Sequence, residues 1–248
     1  MVLHTLQQSN AQTTTPHKHP TFAEEAQQDL QSSYAERSKP LLKEADVLKA
    51  RHNYWMLRRA QDVVLSFLAL VVLSPLFLVI CIVNLFTPEC SVFFSHERRG
   101  RRGKPFTIYK FQTMKNNTPN CATGELENPE QYITKFGKFL RKTSLDELPQ
   151  LWNILKGDMS FVGPRPLISS EMRAHRLRLE YGVYRFRPGL TGWAQINGRD
   201  SISLLRKMKL DKEYCDNWSL KLDLIILLRS VGAVVKQEGF HEGTYHRR

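Results

Sequence analysis

One segment of the chain is apolar over an unusual length: residues 63–86 carry no formal charge and are bounded by Asp62 and Glu89. A straight helix of that length would reach about 36 Å, which is enough to cross a bilayer. Ser74 and Pro75 stand at its midpoint. Because proline removes a helical hydrogen bond and bends the helix, the pattern predicts a membrane helix that is broken at this pair.

Positive charges flank this segment evenly. Five basic residues precede it and five follow it: Lys43, Lys49, Arg51, Arg58 and Arg59, then Arg98, Arg99, Arg101, Arg102 and Lys104. A spanning helix normally has its Lys and Arg excess on the cytoplasmic side, so matched flanks favour a re-entrant helix with both ends beside anionic headgroups in the cytoplasm. A spanning helix and the buried core helix of a soluble protein stay open as alternatives.

The segments on either side differ in pattern. Residues 1–38 are polar with few aliphatic side chains, which predicts a disordered or variable N-terminal extension. Apolar positions recur near helical spacing over 39–62, which predicts an interfacial lead-in helix to the membrane helix 63–86. Beyond it, 92–94 and 106–114 are rich in β-formers and predict a hairpin, whose tip of five cations is placed to bind lipid phosphate.

The rest of the chain is predominantly helical in pattern. Apolar residues are interspersed with Lys and Arg over 201–218, and 219–235 is almost wholly apolar, so both stretches predict helices that dock on the membrane or on the core. The expected architecture is a mainly helical α+β fold with a small β element. It comprises a cytoplasmic domain over 87–236 and a tail over 237–248.

Composition restricts the class of binding partner but does not identify one. The chain has 36 Lys and Arg against 24 Asp and Glu, a formal net charge of +12. This balance favours an acidic partner: nucleic acid, anionic lipid headgroups or a phosphorylated substrate. Four cysteines are scattered without a Cys-x-x-Cys pair, so neither a zinc site nor a disulfide framework is indicated.

Two adjacent acids, Asp146 and Glu147, mark the strongest candidate for chemistry, in the stretch TSLDELPQLWN. Ser144 is placed to cap the next turn, Glu147 to reach back three residues, and a helix dipole to stabilise both anions. One carboxylate could then hold a divalent cation while the other attacks an electrophile. An ordinary capping box is the alternative for the same residues.

The helix that follows the acids is predicted in some detail. Pro149 cannot donate a helical hydrogen bond, so the acids are expected in a short 3₁₀ or kinked start, and Gly157 is expected to end the helix. Helical spacing separates two faces. The predicted apolar face consists of Leu145, Leu148, Trp152 and Leu155, and the predicted polar face of Asp146, Gln150 and Asn153.

Two further clusters contain candidate anion-binding residues. Arg165 lies between Pro164 and Pro166, and a rigid loop that presents one guanidinium suits oxygen or phosphate recognition. A loop that is merely stiffened by proline is the alternative. The stretch RFRPGLTGWAQINGRD combines glycines with Arg187 and Arg199, so that backbone and charge could both approach a ligand; a β-turn with a structural tryptophan stays open.

These motifs together resemble a known family. The apolar segment with its Ser-Pro pair is followed by KPFTIYKFQTM, LRKTSLDELPQLWNILKGDMSFVGPRPL and RPGLTGWAQINGRD. Over about 55–235 the chain resembles the bacterial sugar transferases called monotopic phosphoglycosyl transferases, or polyprenyl-phosphate sugar-1-phosphate transferases. The resemblance implies transfer of a sugar 1-phosphate from a UDP-sugar to a membrane polyprenyl phosphate such as undecaprenyl phosphate, with release of UMP. This would be the first membrane step of exopolysaccharide or glycoconjugate synthesis, at the cytoplasmic face of the bacterial inner membrane.

The resemblance also implies roles for individual residues. Asp146 corresponds to the nucleophile that takes a phospho-sugar covalently, and Glu147 to the ligand of a Mg²⁺ cofactor. The remaining matched positions are assigned to substrate. Lys110, Arg141 and Arg199 correspond to phosphate-contacting residues, and Arg141 also belongs to the catalytic set. The loop of Pro164, Arg165 and Pro166 corresponds to a segment near the uridine, and Asp223 to a substrate-site acid whose role is less defined.

Some positions depart from the family pattern, and other functions stay open. The family usually has Arg at Gln112 and Gly-Pro at Cys90-Ser91, which puts donor selectivity or local geometry in doubt. The competing function is a non-catalytic membrane scaffold that binds anionic lipids and polysaccharide-assembly proteins. Nucleic acid is not expected as a partner, because the charge clusters beside the apolar segment and no nucleic-acid module is recognised. A homodimer stays open.

Overall fold

The computed structural model describes residues 42–119, 128–198 and 201–236, so the predicted extension 1–38 and tail 237–248 lie outside it. Helix α1 spans Leu42–Val72 and helix α2 spans Ser74–Leu85, with a bend of 61° between them. Pro75 has no N–H for the carbonyl of Val71, and the Ser74 hydroxyl donates to that carbonyl instead, at 2.7 Å. The predicted break at Ser74-Pro75 is confirmed.

Helix α1 runs without interruption through the predicted lead-in and the first half of the predicted membrane helix, since 42–72 contains no proline or glycine. No single helix among the described residues has the length and apolar composition to cross a membrane, whereas α1 and α2 satisfy both together as a bent pair. Large apolar side chains point outward from this pair, including Phe67, Val72 and Phe86, which are 56%, 73% and 80% exposed. Exposed apolar surfaces of this kind are typical of contact sites for a membrane or for another protein.

A three-stranded antiparallel sheet follows, in which β1 (Phe93–Arg99) lies between β2 (Pro105–Phe111) and β4 (Leu167–Ile168). Strands β1 (Phe93–Arg99) and β2 (Pro105–Phe111) form the predicted hairpin, with Phe93 opposite Phe111 and Arg99 opposite Pro105. Strand β4 (Leu167–Ile168) pairs with the other edge of β1. A parallel pair that the sequence did not predict joins β3 (Ser160–Val162) to β5 (Gly189–Thr191).

The remaining helices surround these strands. They are α3 (Lys135–Thr143), α4 (Gln150–Lys156), α5 (Met172–Glu180), α6 (Trp193–Ile196), α7 (Leu204–Asp216) and α8 (Leu220–Lys236). Tyr214 and Cys215 of α7 and Ile226 of α8 are fully buried, which places both C-terminal helices on the core. The prediction of a mainly helical α+β fold with a small β element is confirmed.

The core connects helix α2 to the segment that carries Asp146 and Glu147. Ile80 of α2, Phe111 of β2 and Leu140 of α3 form one buried cluster. Leu145 and Leu148, which flank the two acids, pack against that cluster. Since apolar burial stabilises a fold in proportion to the area removed from water, this packing fixes the acids close to the α1–α2 bend.

Only part of the basic hairpin tip is exposed, and its contact with lipid phosphate stays a prediction. The Arg101 guanidinium lies 5.4 Å from the centroid of the Trp55 ring and its Nε donates to the Arg185 carbonyl. Arg98 and Arg99 are largely buried, whereas Arg102 and Lys104 are exposed. Alternation along β1 sends neighbouring arginines to opposite sides of the strand, so a run of charges in sequence does not form one surface.

Candidate active site

Asp146 and Glu147 lie in a single turn of 3₁₀-helix, Leu145–Glu147, which we call the acid turn. It connects α3 to α4, and α4 begins only at Gln150, after Pro149. The predicted 3₁₀ start is therefore confirmed. The predicted capping by Ser144 is wrong: this residue adopts a left-handed conformation (φ 57°, ψ 17°) and its side chain makes no cap hydrogen bond. The acid turn is thus a sharp junction, not a capping box.

Helix α4 is tied to strand β2 by Asn153, which is fully buried. Its Oδ1 accepts from the Tyr109 N–H at 3.1 Å, and its Nδ2 donates to the Thr107 carbonyl at 2.7 Å. The predicted division into faces is wrong here, since Trp152 is 55% exposed and Asn153 is inside. Backbone groups of β2 need partners once buried, and an amide side chain supplies them.

This tie brings a cation to the acids. Lys110, the residue after Tyr109 on β2, places its Nζ 2.6 Å from Oε1 of Glu147 and 3.8 Å from Oδ2 of Asp146. The Arg165 guanidinium, on the loop between two prolines, lies 3.3 Å from the same oxygen of Glu147. The structure therefore brings together three elements that are far apart in sequence: β2, the acid turn and the proline loop.

The two carboxyl groups are held in different states. Burial raises the pKa of Asp146, and the charge of Glu147 adds to that rise, while Lys110 and Arg141 oppose it. Burial also acts against ionisation of Glu147, but Lys110 and Arg165 outweigh it and hold the pKa of Glu147 down at about 2. Glu147 is therefore an anion at neutral pH, and Asp146 is the more basic carboxylate of the pair.

A shallow, solvent-open cleft lies beside Glu147. Its lining combines cations with apolar and backbone groups: Arg98, Ile108, Lys110, Gln150, Arg165, Pro166 and Gly189. Clefts with a few convergent polar groups are the usual form of binding sites. The proline loop thus forms one wall of a cationic cleft that Glu147 also lines.

Arg98 is a site residue that sequence reasoning missed, because it was assigned to the lipid-binding tip. It lines the cleft, and its Nε is buried without a hydrogen-bond partner among the described residues. Burial, together with the nearby charge of Arg165, lowers the pKa of Arg98 to about 10, so it stays charged at neutral pH. The available signal was its position within β1, next to the strand that carries Lys110.

Three other predicted residues have different surroundings. Arg141 leaves the last turn of α3 and donates from Nε to the Thr113 hydroxyl at 2.9 Å, near enough for its charge to act on Asp146. Asp223 lies instead in a buried network, where Tyr214 and Trp218 donate to its two oxygens and Arg58 is 3.5 Å away. Its assignment to substrate stays a prediction. Arg199 lies outside the described residues.

Comparison with known proteins identifies the family of this chain. A family model described as "Bacterial sugar transferase" matches residues 53–237. The chain belongs to the bacterial sugar transferase family. Among its relatives, the sugar transferase EpsL of Bacillus subtilis is 48% identical over 151 residues, 61% of this chain and 73% of EpsL. The exopolysaccharide production protein ExoY of Sinorhizobium fredii is 39% identical over 197 residues, 73% of this chain and 87% of ExoY.

A relative with a more explicit name is the UDP-glucose:undecaprenyl-phosphate glucose-1-phosphate transferase of Escherichia coli, 39% identical over 183 residues. That match covers 71% of this sugar transferase and 39% of the relative. The predicted family and the predicted enzyme class are both confirmed. The family departure at Gln112 has a local role here, since its side-chain amide donates to the Met114 carbonyl and to Oδ1 of Asn116.

Proposed function

We propose that this sugar transferase moves a sugar 1-phosphate from a UDP-sugar to undecaprenyl phosphate or a similar polyprenyl phosphate and releases UMP. The observation that carries the proposal is the acid turn itself: a raised-pKa Asp146 beside an ionised Glu147, at the edge of a cleft lined by Lys110, Arg98 and Arg165. A nucleophilic carboxylate next to a cationic cleft suits phosphoryl chemistry. Relatives named as glucose and galactose phosphotransferases of undecaprenyl phosphate support the same reaction.

The reaction has two displacements. An oxygen of Asp146 forms a bond to the phosphorus next to the sugar, the bond from that phosphorus to the bridging oxygen breaks, and UMP leaves with the electron pair. An oxygen of the lipid phosphate then attacks the same phosphorus, and the bond to Asp146 breaks, which restores the carboxylate. Lys110, Arg98 and Arg165 bind the negative oxygens and hold them in line for attack.

A Mg²⁺ cofactor fits the donor set. Among the described residues no three His, Cys, Asp or Glu side chains gather into a complete metal site, and Mg²⁺ typically binds through one or two carboxylates together with substrate phosphates. Glu147, ionised and at the edge of the cleft, would hold it. When bound, Mg²⁺ would neutralise part of the diphosphate charge.

The bent pair of α1 and α2 supports a location at a membrane. Helices α1 and α2 expose apolar side chains on their outer surface, and the acid turn packs on the same cluster as Leu76 and Phe77 of α2. A re-entrant pair would leave the site on the cytoplasmic face of the inner membrane, at the depth of lipid phosphate. There the lipid substrate could react without leaving the bilayer, which would be costly for so long an apolar chain.

The test is release of UMP by the purified full-length protein in vesicles that contain polyprenyl phosphate and Mg²⁺. With one or more members of a panel of UDP-sugars, we expect UMP release over many turnovers, and this sustained release should require the lipid phosphate. A second readout is the polyprenyl-diphosphate sugar, seen by mass spectrometry. Vesicle binding without UMP or lipid product from any UDP-sugar would favour the scaffold function instead.

Arg98 provides a prediction for donor binding. Replacing it with methionine removes a charged donor from the cleft but keeps most of the side-chain length. A hydrogen bond to a charged group contributes about 1.5–3 kcal/mol, so we expect KM for the UDP-sugar to rise about 10- to 100-fold. The matched control is Arg176→Met, since Arg176 is exposed on α5. An unchanged KM in the Arg98 variant would remove this residue from the donor site.

A further inference from the structure

Arg59 of α1 contacts the end of α4 that is opposite the acids. Its Nη1 donates to the Ile154 carbonyl and its Nη2 to the Leu155 carbonyl, both at 2.6 Å. The last carbonyls of a helix have no partner within the helix, and a guanidinium satisfies two of them with favourable charge. Gly157, which ends α4 at φ 100°, makes room for this contact, because a Cβ there would lie 3.2 Å from Nη2.

Neighbouring residues of α1 extend the attachment to the strand that follows. Oδ1 of Asp62 accepts from the Ser160 hydroxyl and from the Phe161 N–H, each at 3.1 Å. Nη2 of Arg58 donates to the same hydroxyl at 2.9 Å and also to the Val162 carbonyl. Arg58, Asp62 and Ser160 are all buried. One turn of α1 is therefore bound to α4 and to β3 at once.

The turn of α1 that carries Arg59 lies between the apolar bent pair and the helix that leads to the acid turn. Helix α1 continues from it into the apolar bent pair, whereas α4 leads back from it to the acid turn. A helix of seven residues is a rigid rod of about 10 Å, so fixing one end restricts where the other end lies. The Arg59 contact therefore connects the depth of α1 in the membrane to the position of Asp146.

We propose that Arg59 is a positioning residue that sets the acid turn at the depth of the lipid phosphate. The inference rests on the proposed function and adds a separate claim about its two displacements. The donor step uses Asp146 and the cationic cleft, which are held together by Asn153 and Lys110 without Arg59. The lipid step also requires Asp146 to meet a phosphate fixed in the bilayer. Loss of the Arg59 contact should therefore slow the second step selectively.

The experiment compares the two steps in Arg59→Met, which keeps an unbranched side chain and removes both donors. The donor step is measured as exchange of labelled UMP into UDP-sugar without lipid phosphate, and the lipid step as transfer to long-chain polyprenyl phosphate in vesicles. We expect exchange to stay within about twofold of the unmodified protein. We expect transfer to fall about tenfold or more, since a misplacement of about 1 Å can cost about 10²-fold.

Two controls separate positioning from general loss of structure. Arg176→Met removes an exposed arginine and should leave both steps unchanged. A short-chain polyprenyl phosphate in detergent micelles is not held at a fixed depth, so transfer to it should recover in Arg59→Met. If Arg59→Met does not fold, Arg59→Lys keeps the charge but replaces the planar guanidinium with a single ammonium nitrogen, and it should show the same selective loss, at about threefold.

Each outcome has a definite meaning. An equal loss of exchange and transfer, or a loss that persists with the short-chain acceptor, would make Arg59 a structural residue only and overturn the inference. Unchanged transfer in both Arg59 variants would overturn it as well. If the unmodified protein shows neither exchange nor transfer, the proposed function itself fails, and the inference fails with it.

Discussion

Asp146→Asn is expected to reduce UMP release by about 10³-fold or more while leaving the protein folded. The amide has nearly the same shape as the carboxylate, but it is a far weaker nucleophile and cannot form the proposed bond to phosphorus. The buried position of Asp146, at 8% exposure, leaves little space for water to replace the missing group. Initial rates of UMP release with UDP-sugar, polyprenyl phosphate and Mg²⁺ measure the effect.

A covalent readout makes this prediction sharper. The unmodified protein incubated with UDP-sugar alone should gain the mass of one sugar phosphate, and Asp146→Asn should gain none. Asp216→Asn serves as the matched control, because Asp216 is exposed and pairs with Lys212 on α7. Normal turnover in Asp146→Asn, or a sugar phosphate attached elsewhere, would exclude Asp146 as the nucleophile.

Glu147→Gln is expected to cause the second largest loss, about 10²- to 10³-fold in kcat at fixed Mg²⁺. The substitution removes the charge that Lys110 and Arg165 stabilise, and with it the proposed carboxylate ligand of Mg²⁺. The charge of Glu147 raises the pKa of Asp146, so its removal leaves Asp146 ionised more readily. A lower rate therefore cannot be attributed to a protonated nucleophile.

The dependence on metal distinguishes this role from a purely electrostatic one. We expect the Mg²⁺ concentration for half-maximal rate to increase about tenfold or more in Glu147→Gln. Binding of paramagnetic Mn²⁺ in the presence of UDP, followed by electron paramagnetic resonance, gives a readout independent of turnover. Unchanged metal dependence together with unchanged Mn²⁺ binding would rule out Glu147 as a metal ligand.

In α4 the burial of two side chains differs from the burial that helical spacing predicts. Helical spacing assigned Trp152 to the core and Asn153 to a polar surface, and the structure reverses both. The reason is the backbone of β2, whose Tyr109 N–H and Thr107 carbonyl need partners at the buried interface. A hydrophobicity pattern does not show that buried backbone groups of another element need hydrogen-bond partners.

The surroundings of charged residues are even harder to predict from the sequence pattern. Arg98 and Arg101 were grouped with the other cations of the hairpin tip, yet one lines the cleft beside Glu147 and the other stacks on Trp55. The sequence does not show that Asp223 accepts hydrogen bonds from Tyr214 and Trp218 and lies beside Arg58. A buried charge must be paired, and its partner is decided by which elements meet in three dimensions.

The sequence by itself determined the features that depend on local backbone chemistry. Pro75 bends the α1–α2 pair because it lacks an N–H, Pro149 delays α4 for the same reason, and Gly157 ends α4 because it accepts a positive φ. Only the tertiary structure decided that Lys110 lies against Glu147 and that Arg59 binds the far end of α4. These pairs are 37 and 95 residues apart, and contacts at such separations arise from the packing of whole elements, which neighbouring residues do not specify.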